Sequence, residues 1–234
     1  MDQEKVRKTE RTGTTLKQVW DNPWFTIPAL LFLVAGLAAP LRFYYGEEII
    51  LLNGLRKEPW NTFFASATRL GETPAFIVAG LIALLFRYRI TLLVVMAGLM
   101  TMPVSYYLKD AFGKDRPITY FEKNNLRDQI ILVPDVRMNG GQTSFPSGHT
   151  MAAFALYASL AAVAGRRRPV ISLTLALFSI LTAFSRVFLV QHFAYDVVAG
   201  AILGLGLAWL AVLFNNRLPV FGKAELDTGL LSGA

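Results

Sequence analysis

The sequence contains no cysteine in its 234 residues. Disulfide frameworks, thiol nucleophiles and thiolate metal sites are thereby excluded. Histidine is nearly as scarce, with His149 and His192 the only two. Any imidazole acid–base or nucleophilic chemistry must therefore run through one or both of them. Charge is sparse too: 17% of residues are charged, against about a quarter in an ordinary soluble domain. The net charge is +7. Many of the cations flank apolar segments, which points to anionic lipid and membrane orientation rather than to nucleic acid.

What the chain has in place of polar surface is long, unbroken apolar sequence. Hydrophobic residues make up 54% of it, and they fall in runs at 24–44, 74–86, 90–108, 149–165, 170–184 and 197–214. Such runs, without an amphipathic stripe, predict membrane-spanning helices. The predicted fold is all-α, a polytopic bundle of six transmembrane helices. A polar N-terminal tail (1–22) would precede one membrane domain (23–214), and a polar tail (215–234) would follow it. A cleaved signal peptide with Gly36-Leu37-Ala38 at its processing site is the rival for the first run; the long leading tail argues against it. The connection 46–73 carries a predicted interfacial helix at 60–67. The second run is short, and a helix begun near Arg69 would bring Arg69 and Glu72 to the membrane boundary. There they are expected to cap the helix or bind headgroups. Pro103 predicts a kink late in the third run.

The short connections set the orientation, because Lys and Arg in tight turns mark the cytoplasmic side. Arg87/Arg89, the triplet Arg166–Arg168 and the basic N-terminal tail fall on one side of a six-span chain. Both termini are therefore expected in the cytoplasm. Between Lys109 and His149 lies only a polar segment, with no crossing. Between His149 and Ser185 lie two apolar runs and one arginine-rich turn. Lys109, Arg116, His149, Arg186, His192 and Asp196 should consequently emerge together on the other face.

That convergence has a chemical sense. Lys109 and Arg116 are seven residues apart, so a continuous helix would align them on one face. Ser147 is a natural N-cap for a helix beginning near Gly148 and His149, and a helix start with a glycine suits an anion. His192 and Asp196 are i, i+4, and the carboxylate can accept one imidazole N–H while the other nitrogen acts as base or nucleophile. Singly, each feature has an ordinary structural explanation: a headgroup anchor, a helix cap, a satisfied histidine. Jointly, three cations, a helix start and two histidines make a site for a multiply charged anion, with phosphate the best fit. Zinc on two histidines and a carboxylate is disfavoured, since three neighbouring cations would repel it. Spacing does not decide which histidine is the nucleophile.

The segments K-D-A-F-G-K-D-R-P (109–117), P-S-G-H (146–149) and S-R-V-F-L-V-Q-H-F-A-Y-D (185–196) resemble the three-part signature of the type 2 phosphatidic acid phosphatase family. This is the membrane branch of the haloperoxidase-like superfamily. The resemblance covers about 90–214, and each signature position is present in order. It implies a metal-independent lipid phosphatase without cofactor. His192 would attack phosphorus, Asp196 would orient it, and His149 would protonate the leaving group and later activate water. Lys109, Arg116, Ser147, Gly148 and Arg186 would hold the phosphate oxygens. The expected setting is a bacterial inner membrane, with the site facing the periplasm and a membrane lipid as substrate. A phosphotransferase using the same phosphohistidine and a non-enzymatic lipid binder or transporter are the alternatives. The binder would have no need of both histidines and the aspartate. Neither the lipid nor the oligomeric state can be read from the sequence.

Overall fold

A computed structural model describes residues 20–218 and 224–233. The basic N-terminal tail up to residue 19, and 219–223 of the C-terminal tail, lie outside the described residues. Helices account for the ordered elements, and no strand occurs among the described residues. In chain order they are α1 (Pro23–Arg42), α2 (Glu47–Leu51), α3 (Trp60–Ala67), α4 (Thr73–Phe86), α5 (Tyr88–Phe112), α6 (Pro117–Lys123), α7 (Gly148–Ala164), α8 (Pro169–Phe188) and α9 (Ala194–Arg217).

Six of these stand where the apolar runs predicted helices, and α3 falls on the predicted 60–67. Their ends follow local chemistry. Proline opens α1, α6 and α8, where a missing N–H costs nothing. Glycine in the left-handed region closes α5 at Gly113 (φ 50°). Helix α5 thus runs past Lys109, beyond the predicted end of its apolar run.

Among the described residues, three segments are long and apolar enough to cross a membrane: Tyr88–Lys123, Pro169–Phe188 and Ala194–Arg217. A fourth is formed if Trp60–Gly71 and Thr73–Phe86, bent by 58°, count as one span. The apolar helices Pro23–Ala38 and Gly148–Ala164 are shorter. The break at Glu72 differs from the continuous helix expected through Arg69.

Helices α7 and α9 run parallel and nearly touch. A Cβ at Gly200 would lie 2.6 Å from the Ser147 carbonyl oxygen, and one at Gly204 would lie 2.5 Å from that of Met151. The obstacle is backbone, which cannot yield. Gly204→Val should therefore force the pair apart, at a cost of about 1–3 kcal/mol. Gly206→Val, with nothing within 4 Å of its Cβ, should be silent. Melting of the two variants in detergent micelles checks the contrast.

Side-chain bonds show which ends share a level. Asn22 Nδ2 donates to Ala161 O and Ser172 Oγ, both at 2.8 Å, tying the start of α1 to the α7–α8 turn. Asn215 Nδ2 donates to Arg89 O at 3.3 Å, tying the end of α9 to the α4–α5 turn. The turns carrying Arg87/Arg89 and Arg166–Arg168 therefore sit at the helix ends opposite the histidines. Within the polar tail expected at 215–234, Asp227 and Thr228 are anchored at this end. Asp227 takes two bonds from Arg89 at 2.8 Å each, and Thr228 O accepts the Tyr88 N–H at 2.9 Å.

Candidate active site

Main-chain hydrogen bonds splice the three polar segments together. Ser147 N–H donates to Asp196 O (3.0 Å), Ser144 N–H to Lys114 O (3.0 Å), and Arg116 N–H to Gly141 O (2.8 Å). Backbone bonds fix the motifs before any side chain contributes. All eight residues singled out from the sequence lie on these segments or on the helix ends they join.

The dyad is built differently from the helical pair expected. Helix α9 begins at Ala194, so His192 lies before it, in the turn after α8. That turn reverses at Val190, whose φ of 58° is rare for a β-branched residue. Both Gln191 and His192 donate their N–H to Arg186 O, at 2.9 and 3.2 Å. Asp196, in the first turn of α9, accepts the Phe193 N–H at 3.0 Å through Oδ2. The same oxygen lies 3.5 Å from His192 Nδ1. Ser144, not anticipated, donates to it at 2.5 Å and stands 3.5 Å from Nδ1. The i, i+4 proximity is thus real but comes from a capping turn. His192 and Asp196 are fully buried, at 1% and 0% exposure. Phe193, between them, is packed among Tyr45, Tyr120 and Tyr195.

Burial, and then the charges of Arg186, Arg116, Lys109 and His149, hold the His192 imidazole well below its usual pKa range. Both effects favour the uncharged ring. With Asp196 and Ser144 at Nδ1, its Nε2 is the nitrogen left with a lone pair to offer.

The cations arrive by three routes. Lys109 and Arg116 do not share a helix face as predicted, because Gly113 ends α5 and Arg116 caps α6. Arg116 is 7% exposed and is aimed by bonds from Nε to Thr143 Oγ1 (3.1 Å) and from Nη1 to Gln191 O (3.2 Å). Arg186, 6% exposed, donates from Nη1 to Thr68 Oγ1 at 2.7 Å and contacts Gln191 Oε1 at 3.5 Å. Its Nε is buried without a hydrogen-bond partner among the described residues. In a native protein such an orphan calls for an explanation, and an anion supplies one.

Ser147 occupies the N-cap of α7, but its hydroxyl pairs with Thr150 Oγ1 at 3.0 Å and caps no backbone group. The first N–H groups of α7 therefore receive no cap from Ser147, and such groups point out of the helix end. Gly148 is small for a packing reason. A Cβ there would come within 2.9 Å of Ser105 Oγ and 3.7 Å of Lys109 Nζ. The glycine keeps the lysine against the helix start.

A cavity of about 290 Å³ opens beside His149 and Arg186; Thr68, Arg69, Glu72 and Asn139 also line it. Glu72 Oε1 is 3.5 Å from His149 Nε2. Arg69 and Glu72, expected to cap the helix or bind headgroups, both line this cavity, and the Glu72 side chain makes no capping bond to α4. An apolar groove of about 530 Å³ starts at Gly71 and Thr73 and continues between α4 and α5, past Phe76, Gly80, Val94 and Gly98.

Comparison with known proteins fits this geometry. Residues 87–219 match the PAP2 superfamily. A lipid A 4'-phosphatase of Bacteroides thetaiotaomicron is 26% identical over 189 residues, 78% of this chain and 80% of the relative. A phosphatidylglycerophosphatase B of Bacillus subtilis is 30% identical over 182 residues, 71% of this chain and 81% of the relative. Among solved structures, LpxE of Aquifex aeolicus shares the fold with a TM-score of 0.59 and 23% identity, covering 74% of this chain and 97% of that one.

Proposed function

We propose that this chain, which belongs to the PAP2 superfamily, is an integral-membrane phosphatase of phosphorylated lipids. One observation carries the proposal. A buried, neutral histidine has its Nδ1 turned to a carboxylate and its surroundings set with Lys109, Arg116 and Arg186. In the reaction, His192 Nε2 attacks phosphorus, and the bond from phosphorus to the leaving oxygen breaks as His149 gives that oxygen a proton. Lys109, Arg116, Arg186 and the first N–H groups of α7 at Ser147–Gly148 offset the charge on the phosphoryl oxygens. Water then gives a proton to His149 and attacks the phosphohistidine, releasing phosphate and restoring neutral His192. Asp196 holds the ring throughout and stabilises its charged state. No cofactor or metal enters the scheme, because the cations take the part a divalent ion would play.

The groove beginning at Gly71 and Thr73 supports a lipid substrate, since its walls suit an acyl or isoprenoid chain beside a headgroup in the polar cavity. The opposed positions of the histidines and the arginine-rich turns support six crossings, with both termini cytoplasmic and the site on the periplasmic face of a bacterial inner membrane. The substrate class includes phosphatidic acid, phosphatidylglycerophosphate, undecaprenyl diphosphate and lipid A 1-phosphate. Purified protein in detergent should release inorganic phosphate from at least one of these four lipids, at the same rate with and without a chelator. Chelator-sensitive release would overturn the metal-free scheme, and a second phosphorylated lipid in place of free phosphate would make the protein a phosphotransferase.

A further inference from the structure

The turn joining α3 to α4 lies before residue 87, where the family match begins, yet it reaches both the cation cradle and His149. Thr68 accepts from Arg186. Leu70 O accepts the Tyr157 hydroxyl of α7 at 2.8 Å. At Gly71 an added Cβ would meet His149 O at 2.6 Å and Thr182 Cγ2 at 2.5 Å. The turn is therefore pressed against the helix start that bears His149, and the next residue is Glu72. Its backbone is extended, its side chain makes no capping bond to α4, and Oε1 faces His149 Nε2 at 3.5 Å.

We propose that Glu72 is a positioning residue for His149, holding the protonated ring for the leaving-group step. This rests on the phosphatase reading and adds to it a residue from outside the matched region. The charge balance gives the reason. Lys109 from α5, Arg116 at the start of α6, and Arg186 from α8 all oppose a positive charge on His149. Arg69 on the same turn and Arg137 in the 124–147 connection line the same cavity. His192 is neutral and gives no help. Asp135 is the other carboxylate lining the cavity, but Glu72 alone pairs with the His149 ring among the described residues. A carboxylate at this distance favours the imidazolium. Glu72 takes no proton itself; His149 gives one to the leaving oxygen and recovers one from water.

The test compares two substrates in detergent micelles: dioctanoyl phosphatidic acid, whose alkoxide needs a proton to leave, and p-nitrophenyl phosphate, whose phenolate does not. Glu72→Gln should lower kcat on the lipid about tenfold at neutral pH and move the alkaline limb of its pH profile about one unit lower. KM should change little, and the aryl phosphate should lose less than about threefold. Glu72→Asp should return the limb toward that of the wild type. An unmoved limb, or equal losses on both substrates, would overturn the proposal. If Glu72→Gln does not fold, Glu72→Ala is judged in its place: a limb moved to lower pH supports the role, and an unmoved one overturns it. Wild-type protein inert on both substrates removes the phosphatase reading and this proposal with it. Active wild type with an unmoved limb in the variant that lacks the carboxylate removes this proposal alone.

Discussion

Replacing His192 with alanine should reduce phosphate release from a lipid phosphate to background, a loss on the order of 10⁴-fold or more. The ring is the nucleophile in the proposed scheme, and its surroundings leave no substitute. Ser144 is committed to Asp196, Ser147 to Thr150, and the chain has no cysteine. His149 faces Glu72. Rapid quenching of wild-type protein with radiolabelled substrate should trap an acid-labile, base-stable phosphoenzyme, and His192→Ala should trap none. His149→Ala should also lose most of its turnover. Near-normal release by His192→Ala would eliminate the covalent mechanism, whatever the lipid.

Arg186→Lys should cost about 10²–10³-fold in kcat, even though it conserves the charge. A guanidinium offers a planar fork of donors and a lysine a single point charge. The fork is used in full: Nη1 holds Thr68, Nη2 contacts Gln191, and Nε is left over in a buried position. That third donor is the one assigned to a phosphoryl oxygen. A lysine reaching the same phosphate would leave Thr68 without its donor, loosening the turn that presents Glu72. Steady-state kinetics on the variant, beside a melting curve to show that it folds, check the point. Retention of more than about a tenth of wild-type kcat would mean that charge alone suffices.

The helices were legible because long apolar runs are local and need no partner to be recognised. Their limits were less so. Helix α5 does not stop at its first charged residue, Lys109, but at Gly113, where a left-handed backbone ends it. The candidate site's membership was legible because three short polar segments hold both histidines together with Lys109, Arg116 and Arg186. Its local geometry was not. The i, i+4 spacing of His192 and Asp196 suggested a helix, whereas Val190 turns the chain and α9 begins only at Ala194. Ser144 stands two residues before Pro146 and could have been suspected from that proximity. Thr68 carries no such mark, and Glu72 carries only its place at the expected membrane boundary. They reach the site only because Gly71 allows a distant turn to press on α7, and nothing periodic in the sequence encodes that contact.

The glycines between α7 and α9 have a consequence beyond packing. His149 rides on the first turn of α7, and His192 is carried just ahead of α9, so the spacing of these helices is also the spacing of the two histidines. Ser147 N–H to Asp196 O is the rung that transmits it. Filling gaps between helices with larger side chains is one common route to a more stable chain. Here that route is closed at Gly200 and Gly204, because each ångström added between the helices would be subtracted from the alignment of the reacting groups. A heat-tolerant descendant of this chain would have to gain its stability elsewhere, and the α4–α5 turn with its Asp227 clasp, at the opposite helix ends, is free to change.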